Sequence, residues 1–318
     1  MENISSHLDV IVIGELNVDI ILYGMDQLPS VGKEVIAKEM KVTLGSSSAI
    51  FASNLSSVGT KVGFIGKIGN DNFGKIIIGS LEDRKVDTSH ILRSDVLNTG
   101  ITMVLSFDQD RANVTYPGAM DELYLSDIDL GFLKQAKHLH LSSTFLQPGI
   151  KNDLPMLFSN AKKLGLTTSL DPQWDPQEEW DLPLEELLPY VDVFMPNEKE
   201  LMGLTRTGSI KKGIDKIKAF ANIVVVKNGS EGSWAWNGEE IIHQTAFLNS
   251  NVVDCTGAGD SFNAGFVHQF INEATLSKCL EFGSLLGAIN TTRAGGIGAF
   301  SDLALIKSIA EETFKYKI

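Results

Sequence analysis

The sequence predicts an α/β protein in three layers, a mostly parallel central sheet covered on both faces by helices, with a small second sheet inserted as a lid. Three observations carry that expectation. Short apolar runs alternate with stretches of helical periodicity along most of the chain, two segments break into strict alternation, and the part after Asp260 shows mostly helical patterns. Apolar runs separated by helices suit parallel strands, because each crossover lays a helix on a face of the sheet.

The elements follow in order. "VIVIG" at 10–14, "VGFIG" at 62–66, "HLHLS" at 138–142, "TTSLD" at 167–171, "VDVFMP" at 191–196 and "IVVVKNG" at 223–229 read as buried strands. Helical spacing occupies 46–58, 73–84, 150–164, 198–204 and 211–221 between them. In 34–44, Met40, Val42 and Leu44 alternate with Lys41 and Thr43. In 101–116, Ile101, Met103, Leu105 and Phe107 alternate before "DQDR" turns the chain back. Period-two alternation marks strands with unlike faces. These segments, at about 16–44 and 100–118, read as a separate sheet, a lid or an association surface that could pair two copies of the chain. Extra edge strands of the main sheet are the alternative. No repeat or linker divides the 318 residues, so a single domain over 1–318 is expected.

Composition narrows the function. With 43% hydrophobic and 21% charged residues and a formal net charge of −13, the chain is a globular protein without the basic footprint of a nucleic-acid binder. Local amides and helix dipoles can still hold an anion inside an acidic protein. No apolar run approaches the roughly 18 residues of a membrane span. "MENISSHLDVIVIGEL" lacks a basic segment leading into a hydrophobic one, which makes a cytoplasmic location the expectation. The two cysteines, Cys255 and Cys279, have no metal-ligand spacing, and His138 and His140 share one face of a core strand as structural residues.

The chemistry gathers in "VVDCTGAGDSFNAGFVHQF" at 252–270. Phe262, Phe266 and Phe270, four apart, lay one stripe along a helix beginning near Asp260. Thr256, Gly257, Ala258 and Gly259 form a small-residue turn ahead of it. Helix-initial amides have no intrahelical partner, and small side chains let a ligand approach them, so the turn is an anion hole suited to a phosphoryl group. Asp260 beside it is either a general base for an attacking hydroxyl or a helix cap. There is no G-x-x-x-x-G-K-[ST], and Phe262 stands where a dinucleotide fingerprint needs Gly or Ala.

"DCTGAGDSFNAGF" resembles the C-terminal signature of the ribokinase-like, or PfkB, family of carbohydrate kinases. "VIVIGELNVDII", "LGSSSAIFASNLSSVG", "IGNDNFGK", "MPNEKEL" and "VVVKNGSEGS" resemble other family motifs in family order. The resemblance implies a ribokinase-like fold and a phosphotransferase moving the γ-phosphoryl group of ATP to an alcohol group of a sugar, with Mg²⁺ and, in some members, a monovalent cation such as K⁺. By resemblance Asp260 is the base, and the amides of Gly257, Ala258 and Gly259 meet the phosphoryl charge. Asn197 and Glu200 support Mg²⁺ through waters. Asp254 and the Thr256 carbonyl match the monovalent-cation site. Asn228, Gly229 and Gly232, with Ala288 and Asn290, border the nucleotide. Asn17 and Asp19 meet the sugar, two apart on an extended segment and so on one face, near Gly45 and Ser46.

The chain departs from the family twice. Gly-Gly-x-x-x-Asn becomes Gly45, Ser46 and Ile50, and Asp-x-Asn-x-Arg becomes "DPQWD", with Gln173 and Asp175. The missing Arg disfavours sugar acids and sugar phosphates, unless Arg111 in the insert replaces it. Ser46, Ser47 and Ser48 either replace lost hydrogen bonds to the sugar or cap the helix that follows. The nearest alternatives are a nucleoside kinase of the same superfamily, with Ile50 and Phe107 lining a slot for the base, and a non-catalytic ligand sensor.

Overall fold

The computed structural model describes residues 8–107 and 110–318, apart from the side chains of residues 110 and 111. The "DQDR" turn and the Arg111 side chain therefore lie outside the described residues.

The strands in chain order are β1 (Val10–Ile13), β2 (Asn17–Tyr23), β3 (Glu39–Leu44), β4 (Val62–Gly69), β5 (Asp87–Ser94), β6 (Gly100–Phe107), β7 (Asp110–Tyr116), β8 (His138–Ser142), β9 (Thr167–Asp171), β10 (Val193–Phe194), β11 (Ile223–Lys227), β12 (Ser233–Trp236) and β13 (Ile241–Gln244). Nine of them form one sheet in the order β13-β12-β11-β10-β9-β8-β1-β4-β5. Every pairing from β11 across to β5 is parallel, and β12 and β13 close one edge antiparallel.

Alternate residues of a strand serve opposite layers. Val10 and Val12 of β1 pack into a core shared with the helices Ser47–Ser57, Ala258–Ile271 and Leu276–Asn290. Ile11 and Ile13 pack into a second core with Leu154–Lys163, Glu198–Thr205 and Ile210–Ile217. Phe266 of the expected phenylalanine stripe is fully buried and lies 6.3 Å, centroid to centroid, from both Phe262 and Phe270. The chain after Asp260 is mostly helical, as expected, and adds Leu303–Phe314 after a non-helical stretch over 291–302. The strand expected over 191–196 is only Val193–Phe194, although Met195 still donates to the Leu170 carbonyl and the Pro196 carbonyl still accepts from the Lys227 amide.

The alternating segments form a sheet of their own, in the order β3-β2-β6-β7. They are not edge strands of the main sheet. Its register sets Thr43, Asp19, Thr102 and Thr115 in one cross-strand row and Val42, Ile20, Met103 and Val114 in the neighbouring row. Neighbouring rows point to opposite faces, so one face carries hydroxyls and a carboxylate and the other carries aliphatic groups. Met40, Val42, Val114 and Tyr116 stay exposed on the aliphatic face.

His138 and His140 are buried, held by the hydroxyls of Thr167 and Ser169. Burial pushes His138 down to about 3, so it is a neutral core residue at physiological pH. Among the described residues no helix is long and apolar enough to cross a membrane.

Candidate active site

Ligands of open parallel sheets bind beyond the carboxyl ends of the strands. At those ends this chain places Glu15 after β1, Ser142 and Ser143 at β8, Asp171 at β9 and Lys227 at β11. The turn into the Ala258–Ile271 helix meets them there.

Gly257 is the N-cap of that helix, with φ 77, and it makes no side-chain cap bond. The left-handed turn starts the helix at Ala258, two residues before the expected point. The Ala258 amide turns inward to the Cys255 carbonyl at 3.2 Å. Among the described residues the amides of Gly257, Gly259 and Asp260 have no backbone acceptor. The amides left without a backbone acceptor are thus those of Gly257, Gly259 and Asp260, where the sequence points to Gly257, Ala258 and Gly259.

Asp260 does not cap its helix. Its carboxylate accepts from Gln173 Nε2 at 3.0 Å and faces the Ser47 hydroxyl. Burial and the neighbouring Asp171 carboxylate push its pKa well above the usual range, against the pull of Lys227. A carboxyl group tuned upward, turned off its own helix and set beside unpaired amides is arranged for proton transfer next to an anion.

Around it lies a charge cluster that the sequence reading had not assembled. Lys227 Nζ is 2.5 Å from Asp171 Oδ2, which also accepts from Asn263 at 2.5 Å and from Gln173 at 3.0 Å. Glu200 is buried nearby in a reciprocal capping box. Its carboxylate accepts from the Asn197 amide N–H at 2.8 Å and from its side chain, while Asn197 Oδ1 accepts from the Glu200 amide at 2.9 Å. Burial, with Asp171 adding to it, pushes Glu200 up to about 7.

These donors fit a hydrated divalent cation. They are oxygen groups with an excess of negative charge, yet no three His, Cys, Asp or Glu side chains among the described residues converge to ligate a metal directly. Asp254 braces the turn, accepting from the Thr256 amide and the Gly295 amide, each at 2.8 Å.

Asn290 needs correction. It is fully buried, donating to the Thr256 carbonyl at 2.6 Å and accepting from Ser261 at 3.0 Å, so it holds the turn from behind and its amide has no open side for a nucleotide. Asn228, Gly229 and Gly232 form the β11–β12 turn directly after Lys227. Gly232 has φ 95, and a Cβ there would strike the Gln244 carbonyl.

On the lid side, Asn17 Nδ2 donates to Asp19 Oδ1 at 2.9 Å and to Thr102 Oγ1 at 3.0 Å. Gly45 passes so close that a Cβ would lie 2.6 Å from Asn17 Nδ2 and would strike Asp19. The serines divide their work. Ser46 caps the Ser47–Ser57 helix and donates to the Glu15 carbonyl, and Ser48 donates to the buried Glu15 carboxylate. Ser47, facing Asp260, is two residues from Gly45, so segment 45–48 connects the lid's polar row to the proposed base. Ile50 is buried against the backbone of Gly257 and Gly296. Asp175, where the resemblance has Arg, accepts from the amides of Gln177 and Trp180 and braces its own loop.

Asp171, Lys227 and the bridging role of Gln173 escaped the sequence reading. Their signal was a polar residue ending an apolar strand run at a parallel sheet's carboxyl edge.

Comparison with known proteins identifies the family and the fold. The ATP-dependent 6-phosphofructokinase of Thermoanaerobacterium thermosaccharolyticum is 26% identical over 311 residues, 95% of this chain and 93% of that protein. The structure of Arabidopsis thaliana ribokinase complexed with ribose and ATP aligns with a TM-score of 0.82 and 26% identity, over 94% of this chain and 99% of that one. A putative ribokinase II from E. coli, in complex with ATP and Mg²⁺, aligns with a TM-score of 0.83 and 25% identity, over 96% of this chain and 99% of that one. The model of the pfkB family carbohydrate kinases matches residues 7–302. The chain belongs to the pfkB family of carbohydrate kinases and has the ribokinase-like fold.

Proposed function

We propose that this sugar kinase transfers the γ-phosphoryl group of Mg-ATP to a hydroxyl of a small unphosphorylated monosaccharide, ribose- or fructose-like. One observation carries the mechanism. The Asp260 carboxylate is turned away from its own helix while the adjoining amides of Gly257, Gly259 and Asp260 have no backbone acceptor among the described residues. Asp260 takes the proton of the acceptor hydroxyl, that oxygen attacks the γ-phosphorus, and the bond to the β-phosphate oxygen breaks to release ADP. The amides of the turn meet the charge on the transferring group, a positioning and electrostatic task. Mg²⁺, when bound, screens the phosphate charge, with Asn197 and Glu200 holding its waters. A monovalent cation against Asp254 and the Thr256 carbonyl belongs to the same proposal.

The acceptor is assigned from the lid. Asn17, Asp19 and Thr102 offer a carboxylate, an amide and a hydroxyl to a neutral polyol, and Asp19 repels an anionic group. The buried position of Ile50 gives no support to a nucleobase slot. The test is ADP release with Mg-ATP across pentoses, hexoses, sugar acids, sugar phosphates and nucleosides. Turnover confined to sugar phosphates or nucleosides would reject this substrate class.

Asp19→Ala removes a hydrogen bond from a charged acceptor, which contributes about 1.5–3 kcal/mol. The sugar KM is expected to rise by about 10- to 100-fold while the ATP KM holds, separating sugar binding from nucleotide binding. An equal rise in both would contradict the assignment.

The aliphatic face of the lid sheet, with Met40 at 66% and Val114 at 64% exposure, suits pairing with a second copy of the chain. Sedimentation should give a dimer for the wild type and a monomer for Met40→Glu/Val114→Glu. A monomeric wild type would contradict the pairing.

A further inference from the structure

Building on the reading that the 257–259 turn receives the transferring phosphoryl group, we propose that Lys227 is a catalytic residue. Its ammonium contacts that group during transfer, and Asp171 is the counter-ion from which it reaches.

Lys227 ends β11, and its side chain is only 12% exposed. Nζ lies 3.9 Å from the point a Cβ on Gly259 would occupy, so the ammonium stands against the turn that bears the unpaired amides. Its bonds to protein go to Asp171 Oδ2 and, at 3.4 Å, to Asn263 Oδ1. An ammonium has three N–H bonds, and the third has no acceptor among the described residues. Asp171 is not dependent on Lys227 alone, because Asn263 and Gln173 also donate to its Oδ2 and the Gln173 amide donates to its Oδ1. Lys227 can therefore turn to a phosphate without leaving a buried carboxylate bare.

Charge balance points the same way. The buried carboxyl groups of Asp171, Glu200 and Asp260 all lie within the field of the Lys227 ammonium. A polyphosphate brings further negative charge, and a cation fixed at the turn offsets it where the charge develops in transfer.

The simpler alternative is that Lys227 only neutralises Asp171, and Asp171→Asn/Lys227→Met separates the two. This pair removes both charges, so it also serves if Lys227→Met alone fails to fold. The turnover number would be measured for wild type, Lys227→Met, Lys227→Arg and the double variant. Calorimetry would compare Mg-bound imidotriphosphate analogue with Mg-ADP. Lys227→Met is expected to lower kcat by ~10²–10³-fold, with Lys227→Arg between it and wild type and the double variant no better. Affinity should fall for the triphosphate analogue and hold for ADP. A double variant within about three-fold of wild-type kcat would overturn the proposal, as would equal losses for both nucleotides. Wild-type turnover left unchanged by Lys227→Met overturns this proposal alone. A wild type that binds neither nucleotide and turns over no sugar overturns the kinase mechanism and this proposal with it.

Discussion

Asp260→Asn is expected to yield a folded protein that still binds Mg-ATP and sugar but turns over ~10²–10⁴-fold more slowly, the contribution of a positioned base. The substitution keeps the shape of the side chain and an oxygen for Gln173 Nε2, and it removes the proton acceptor. Its effect on stability has the opposite sign. Burial, and Asp171 next to it, raise the Asp260 pKa well above its ordinary value, so the folded chain binds that proton more tightly than the unfolded chain does. A group shifted this way favours folding below the ordinary carboxylate range, and that contribution is lost as pH rises through the folded-state pKa. Asn has no charge to bury, so the variant should melt at a higher temperature than wild type at neutral pH. The same shift places the acid limb of the wild-type kcat/KM profile above the usual carboxylate range, since activity needs the ionised base. Stopped-time ADP assays from acid to neutral pH and thermal melts of both proteins check all three points. A variant that keeps wild-type kcat would remove Asp260 from the mechanism.

The layers of the fold were legible because core strands and helices write their burial into the spacing of apolar residues, as the split of Val10 and Val12 from Ile11 and Ile13 between two cores illustrates. The lid was legible for the same reason, since the alternation in 101–116 became the two-faced pair β6 and β7. The turn at 257–260 was visible because glycine and small residues before a helix leave amides exposed. The Asp171–Lys227–Gln173 cluster was less so. It depends on strands β9 and β11 standing two places apart in the sheet, with β10 between them, and on Gln173 adopting φ 59 to fold back over Asp171 and Asp260. Nothing in local periodicity encodes either fact. Asn290 misled for a related reason: proximity to the nucleotide side in sequence says nothing about which way a buried amide faces.

Gly257→Ala is expected to cost both activity and stability, whereas Gly259→Ala should leave the fold nearly untouched. Gly257 has φ 77, a left-handed conformation that costs a residue with a Cβ roughly 1–2 kcal/mol. Its Cβ would also lie 2.6 Å from Gly296 Cα and 3.1 Å from Ile50 Cγ2. The first of these is backbone, and Gly296 is already packed against Ile50, so the turn itself must move. Moving it shifts the Gly257 carbonyl that accepts the Ser261 amide at 2.9 Å and hydroxyl at 2.8 Å, and with it the amides of Gly259 and Asp260. Losing the aim of such donors lowers kcat by about 10²–10³-fold. Gly259 has no left-handed φ, and the nearest atoms to its would-be Cβ are the Lys227 Cδ and Nζ at 3.9 Å, so the protein accommodates a methyl group there. That methyl projects toward the ammonium and the proposed phosphoryl position, and its penalty should fall on nucleotide binding and turnover with the melting temperature held. Melting curves and kcat for the two variants separate strain in the turn from crowding of its ligand. A Gly257→Ala protein with the wild-type melting temperature and wild-type kcat would show that the turn does not depend on this geometry.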